Sequence, residues 1–406
     1  IYFLFTDAEE MGLDGAAAVV EEQDLMSKVG FVINIEARGV RGPAIMFETS
    51  PNNKKVIDFY RQANLPVSYS LATAIYQVMP NDTDFTLFRE IGLNGVNFAV
   101  VDGIEHYHTP LDNYYELSSS SLQHYGEQIA PLIDAFARDA KYSDTHFFDA
   151  NEGSVFFTLL PNVFVSYTGT AANVLHFVAF ALLIAAAIFM FRNHLADFRK
   201  LIRKLLLFIG TFLVLVFLSL IIAIVTAVLG GVEYYPTYVV VSGSEWTVLL
   251  FLLATTASIF AIYTRLTNSL EKQRTFLFFG IALQLALAIL TGFLMPGVSF
   301  LFFVPALLGI LSLAASMQKN TIVKYLAYGI TTLVSLLLII PTLKIFFLSL
   351  TIGCMPVLVA ILLIHLTVLI PVVRLLWHAG DNATAKDSVV SEAKAKDAAA
   401  QNADVE

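Results

Sequence analysis

Cysteine is nearly missing: Cys354 is the single one among 406 residues. One thiol makes an intrachain disulfide impossible. It lies in an apolar run far from the first 150 residues, so a metal bound there would need His and carboxylates. Charge is scarce as well, at 14% of residues, where a soluble domain carries about a quarter. The scarcity is uneven. Residues 1–150 hold 22 Asp and Glu against 9 Lys and Arg, a net of −13, while the whole chain nets −9. So acidic a region argues against a nucleic-acid partner. A starting Met and a secretory leader are absent too. The chain opens Ile1-Tyr2-Phe3-Leu4-Phe5-Thr6, which reads as the middle of a buried strand, so the sequence is expected to be a piece of a longer protein.

Apolar residues are in excess, at 57% of the chain with a mean hydropathy of +0.71. Up to about residue 142 the chain has the composition of a soluble domain, and strand and helix patterns alternate, which predicts an α/β domain. Strands are expected at 1–6, 31–35, 44–47 and 96–101. Helices are expected at 15–23, 54–63 and 84–91, and from the serine run 118–121 to residue 140 with Leu122, Ile129, Leu132, Ile133 and Phe136 on its apolar side. Residues 143–170 form a junction. Its apolar stretch 155–167 is interrupted by Pro161 and too short to span a bilayer, so it is expected to lie on the membrane surface or to add an edge strand to the soluble domain.

Residues 171–373 read as a membrane domain of about seven helices. The runs are 171–191, 205–229, 246–264, 275–294, 298–316, 322–340 and 346–371, each near the roughly 20 residues a span needs. The last contains Pro356, where a kink is expected. Arg192, Arg199, Lys200, Arg203 and Lys204 fall in the first loop. Arg265, Lys272 and Arg274 fall in the third, and Lys319 and Lys324 at the fifth; the second and fourth have none and the sixth only Lys344. This bias puts the odd loops in the cytoplasm and the soluble domain outside or in a lumen. Tyr234, Tyr235, Tyr238 and Trp246 then suit an aromatic belt on the outer side. Residues 374–406 are expected to be a disordered cytoplasmic tail. His176 and His365 lie in apolar runs without a deep charged residue, so they are expected to be neutral packing residues, and an ion-coupled transporter is disfavoured.

Three segments could carry chemistry. In Thr6-Asp7-Ala8-Glu9-Glu10-Met11-Gly12 two carboxylates follow a strand, where an α/β sheet places its functional loops. One could hold a metal while the other faces a water; the ordinary alternative is an acidic turn opening a helix. Glu36 follows a second strand as a possible oxygen ligand, or as a salt-bridge partner of Arg38 or Arg41. In Glu105-His106-Tyr107-His108-Thr109-Pro110-Leu111-Asp112, two His residues two apart face opposite ways if extended, so one of them is expected to ligate. Taken alone, the first motif is better explained by the acidic turn and the second by the salt bridge, and a polar surface loop is the common alternative for the third.

Taken together, FLFTDAEEMGLDGA, INIEARGVRGPAIMFETS, NDTDFTLF and YHTPLDN resemble, in order and spacing, metallopeptidase family 28, the co-catalytic zinc aminopeptidases. The resemblance covers residues 1 to about 140 and is strongest to the membrane-bound branch of that family. It implies a zinc-exopeptidase fold, a mixed sheet flanked by helices and incomplete at the N-terminus, followed by the helical membrane domain. Residue by residue, Glu9 matches the general base and Glu10 a zinc ligand. Glu36 matches the acidic ligand of the other zinc, often Asp in soluble relatives, and His108 the C-terminal His ligand. The family pattern also has an upstream His and a metal-bridging Asp. No matching motif occurs here, so both are expected before Ile1, and the chain alone is expected to be incompetent. Asp82 and Asp84 fall in a family motif without an assigned role.

The reading that follows is a membrane-anchored zinc exopeptidase, an aminopeptidase with two zinc ions, whose partners are a peptide substrate and the lipid bilayer. A glutaminyl-cyclase-like acyltransferase with one zinc is an alternative from another enzyme class. A scaffold or transporter with a degenerate peptidase domain is the non-enzymatic one, and retention of Glu9, Glu10, Glu36 and His108 counts against it.

Overall fold

The computed structural model describes residues 1–77, 79, 81–195, 201–237 and 239–378. A 3-10 turn at Glu9–Met11 leads to two short helices, Asp14–Val20 (α1) and Gln23–Met26 (α2). Strands Val32–Ala37 (β1) and Ile45–Thr49 (β2) follow. Helices Lys54–Tyr60 (α3), Ser70–Tyr76 (α4) and Asp84–Glu90 (α5) then precede strand Gly95–Val100 (β3) and the long helix Ser119–Arg138 (α6). The sheet has the order β1-β3-β2, with β1 parallel and β2 antiparallel to β3. It is therefore the mixed sheet that was expected.

Local chemistry explains these elements. β3 is buried at all six positions, as a central strand covered on both faces must be. A capping box starts α5: Thr83 accepts from the third helical residue and Thr86 Oγ1 accepts from the Thr83 amide at 3.2 Å. On α6, Tyr125, Ile129 and Leu132 recur at helical spacing and are buried. Leu122, expected on that face, is 60% exposed. Phe59 of α3 packs edge-on against Phe31, Tyr142 and Phe148 at 5.1–5.3 Å.

Two expectations near the chain's start and junction come out differently. No strand forms at Ile1–Thr6; Phe5 is 94% exposed, and among the described residues no strand lies alongside it to supply a ladder. The junction is a hairpin, Ser154–Leu160 (β4) and Val163–Thr168 (β5), that forms its ladder with itself and is tied to the β2 edge only by single bridges, Met46 to Ser68 and Tyr69 to Phe157. Pro161 and Asn162 make its turn, Asn162 with φ 62°. Strand alternation gives β4 two allegiances. Phe156 enters the core of the sheet domain, while Val155 and Phe157 enter the core of the helices, where Phe157 stacks on Phe300 at 4.6 Å.

The helical region comprises Gly169–Arg192 (α7), Leu201–Leu229 (α8), Ser244–Leu266 (α9), Leu270–Leu294 (α10), Phe300–Ser316 (α11), Thr321–Leu350 (α12) and Ile352–His378 (α13). Six of these are long and apolar enough to cross a membrane, and α11 is a shorter apolar helix of 17 residues. The seven runs read from the sequence therefore all become helices, with one correction at the end. α12 does not stop before Pro341 but continues through it to Leu350, which puts Lys344 inside a helix and not in a loop. The break falls at Thr351, whose φ is 57°, and Pro356 sits in the opening turns of α13 instead of kinking its middle. A proline is tolerated inside a helix when neighbours re-satisfy the freed carbonyl. His176 packs against Phe303 at 4.9 Å, and His365 sets its two ring nitrogens against the carbonyls of Ile361 and Leu301. Arg199, Lys200, Tyr238 and the tail beyond residue 378 lie outside the described residues.

Three contacts place the ends of these helices against the sheet domain. Arg38 Nη1 donates to the Ser349 carbonyl at 2.8 Å, a charge-assisted bond at the electronegative end of α12, of a kind that contributes about 1.5–3 kcal/mol. Ser70 Oγ donates to the Gly297 carbonyl at 2.8 Å. A Cβ on Gly297 would lie 2.6 Å from the Ser70 carbonyl oxygen, so this approach requires glycine. Thr237, between α8 and α9, lines the same cavity as Glu9. The second, fourth and sixth helix connections thus share one side with the sheet domain.

Candidate active site

The parallel pair β1 and β3 ends at one edge of the sheet, where α/β folds collect functional groups. β1 delivers Glu36 there, in register with Ala99. β3 runs out through the 3-10 turn Ile104–His106 to His108, whose φ of 57° is a left-handed conformation uncommon for a non-glycine residue. Glu9 and Glu10 arrive from the turn at the chain's start. Ala8, with φ 58°, opens that turn. Gly15 lets α1 pack on its backbone, for a Cβ there would meet the Asp7 carbonyl oxygen at 2.3 Å. Thr6 Oγ1 donates to the Asp84 carboxylate.

Glu9, Glu10, Glu36 and His108 line one cavity of about 540 Å³. Glu10 Oε1 and His108 Nε2 meet at 2.6 Å, and the His108 ring stacks on Tyr107 at 3.7 Å. His106 does not join them; its Nδ1 lies 3.1 Å from the Gly103 carbonyl and its Nε2 3.8 Å from Glu116. His108 alone of the pair lines the cavity, and the segment is a 3-10 turn followed by a left-handed residue rather than the extended chain on which the expectation of opposite faces rested. Arg41, a possible partner for Glu36, instead pairs with Asp102 at 3.3 Å and Glu105 at 3.0 Å.

Glu36 is held by a row of polar side chains that crosses the sheet. Asn34 Nδ2 donates to Glu36 Oε1 at 2.8 Å and to Asn97 Oδ1 at 3.0 Å. Asn97 Nδ2 in turn donates to Thr83 Oγ1 at 2.9 Å and to Glu48 Oε2 at 3.1 Å. Arg89 Nη1 lies 3.1 Å from Glu48 Oε1. Sequence reasoning missed this row. Asn34 and Glu36, polar at alternate positions of one strand, were its available signal.

Acidity at the site reflects burial first and crowding of like charge second. Burial pushes the Glu36 carboxyl up to about 7; the Asn34 amide opposes this, while Glu9, Asp84 and Glu10 add to it. Burial raises Glu9 as well, reinforced by Glu10 and Asp84 and opposed by His108.

A bound cation would relieve that crowding, and the donor set suits zinc, which takes imidazole and carboxylate. The buried Oδ1 of Asp84 has no hydrogen-bond partner, a further acceptor near these carboxylates. Among the described residues, no three such side chains converge on one point. The chemistry of the donors fits a metal, with Glu10 and His108 the pair already together.

Part of the chain is similar to a known family. Residues 1–133 match peptidase family M28. The chain is 27% identical over 187 residues to endoplasmic reticulum metallopeptidase 1 of Homo sapiens, covering 44% of this chain and 20% of that protein. It is 29% identical over 181 residues to the vacuolar membrane protease of Candida albicans, covering 43% and 20%. The putative endoplasmic reticulum metallopeptidase 1-A of Caenorhabditis elegans is 27% identical over 183 residues. The matches span about a fifth of the length of these relatives. No solved structure matches the chain. The chain thus joins a region similar to M28 peptidases to six helices long and apolar enough to cross a membrane, and its relatives include membrane metallopeptidases, which supports an integral membrane protein.

Proposed function

We propose that this chain carries the C-terminal ligands and the general base of a zinc-dependent exopeptidase, an aminopeptidase, anchored in a membrane. The observation that carries the reading is the meeting of Glu10 and His108, 98 residues apart, in a cavity that also holds Glu9 and Glu36. Glu10, Glu36 and His108 are the zinc ligands, two ions being held once the remaining donors of the family pattern are supplied. Bound zinc supplies Lewis-acid polarisation of the scissile carbonyl and of the attacking water. Glu9 accepts the water's proton and returns it to the leaving amine, a role suited to a carboxylate whose basicity is raised by its surroundings. Asn34 fixes the rotamer of Glu36. The acidic end of the cavity favours a peptide with a free, positively charged N-terminus.

The domain division we propose is a partial peptidase domain at 1–142, a junction at 143–170, a membrane domain at 171–373 and a cytoplasmic tail at 374–406. The helix connections on the side of the sheet domain are the ones poor in Lys and Arg, which supports an extracellular or lumenal peptidase domain. A peptide and the bilayer are the partners; nucleic acid is not.

The test uses the full-length protein purified in detergent. Free aminoacyl anilides should be hydrolysed and N-acetylated ones refused. A chelator should abolish turnover and zinc should restore it. Equal cleavage of acetylated substrates would refute the aminopeptidase assignment. Ammonia release from N-terminal glutamine without peptide hydrolysis would favour the cyclase chemistry instead.

A further inference from the structure

We propose that the end of a membrane helix forms the side-chain-selecting wall of this site, so that the peptide accepted carries a large apolar side chain beside the bond cleaved. The proposal rests on the peptidase reading above and adds the class of substrate. The cavity that holds the four site residues has a second, apolar end. There Phe47 of β2 and Leu71 and Ile75 of α4 face Ile345, Phe346 and Leu350 of α12.

The α12 contribution is a continuous stripe. Thr342, Ile345, Phe346, Ser349 and Leu350 all line the cavity, and their spacing of three and four is one face of a helix. The stripe extends about 12 Å at 1.5 Å per residue, long enough to flank a side chain and its neighbour. α12 brings no charge to this lining, and Lys344 is on its exposed side. The site carboxylates and the uncharged side chains of the α12 stripe thus line one cavity, with the Arg38 guanidinium bonded to the stripe at Ser349. A peptide with a cationic amine and an apolar first side chain matches both at once.

The wall is also held in place. Arg38, two residues beyond Glu36, bonds the Ser349 carbonyl within the stripe itself. Just past it, Thr351 Oγ1 accepts from the Val239 amide at 2.7 Å. Ser70, at the start of α4, ties the facing wall to Gly297. The volume of about 540 Å³ falls in the range of pockets that enclose small ligands, about 300–1,000 Å³.

The test compares full-length wild type with Ile345→Trp, which fills the apolar end, and Ile345→Ala, a milder change of the same wall. Ile340→Ala, exposed on another face of α12, is the control. Two readouts are taken: the ratio of kcat/KM for phenylalanyl over glycyl anilides, and calorimetric binding of phenylalaninamide against glycinamide to zinc-stripped protein. Wild type should favour phenylalanyl by at least about tenfold, the scale of discrimination in an apolar pocket. Ile345→Trp should erase most of that ratio in both readouts. Ile345→Ala should move the optimum toward the bulkier naphthylalanyl, and Ile340→Ala should change nothing. No preference in wild type, or ratios untouched by both Ile345 variants, would overturn the proposal. Binding that follows Ile345 in a protein that hydrolyses neither substrate would leave the pocket standing and sink the peptidase reading.

Discussion

Glu36 in the sheet domain and His365 in the helices are both polar groups drawn away from water, and they are partnered in different ways. Glu36 takes one bond from Asn34 and leaves the rest of its carboxylate toward a cavity. His365 sets its ring nitrogens 2.8 and 3.0 Å from backbone carbonyls of its own and a neighbouring helix, one of which its single N–H can bond when the ring is neutral. The pattern repeats. Asn97 and Glu48 in the sheet domain bond other side chains, while Gln284 of α10 donates to the Ile364 carbonyl at 3.0 Å. Side-chain partners fix a rotamer and keep a functional group available; backbone partners neutralise it. The first half of the molecule stores chemistry, and the second supplies shape, including the α12 wall.

That contrast can be broken by swapping one amide in each half for leucine. Asn34→Leu should lower zinc affinity or turnover by about 10–100-fold, as expected for loss of a group that orients a ligand. Zinc titration and kcat on the full-length protein would show it. Gln284→Leu should cost only about 1 kcal/mol of stability, one hydrogen bond exchanged for apolar packing, with kcat unchanged, measured as a small fall in Tm beside the same assay. Equal effects of the two on turnover would remove the distinction between the halves.

The parts legible in the sequence were those set by neighbours along the chain. β1, β2 and β3 followed from apolar runs, and Glu9, Glu10, Glu36 and His108 from the motifs they stand in, although among the described residues no strand precedes Glu9 and Glu36 lies inside β1. α4 was not anticipated, since seven residues without a side-chain cap leave little local trace. The row from Glu36 to Arg89 was hidden because its bonds join residues up to 63 apart. The α12 wall was hidden further still, the Arg38–Ser349 bond spanning 311 residues. The run expected at 322–340 stopped short of Pro341, whereas α12 continues through it to Leu350, since packed helices tolerate proline. Local rules therefore reached the proposed site residues and not the α12 wall that shares their cavity.

The central claim is that Glu9 moves protons and Glu10 holds metal, and two substitutions in the full-length protein test it together. Glu9→Gln is nearly isosteric and cannot accept a proton at neutral pH. It should keep its zinc, measured by elemental analysis, while kcat falls at least about 100-fold. Glu10→Gln weakens a charged ligand and should lose zinc first, with activity falling in step with metal content. Zinc lost from Glu9→Gln and retained in Glu10→Gln would reverse the two roles. Full activity in both variants would contradict the account of this site.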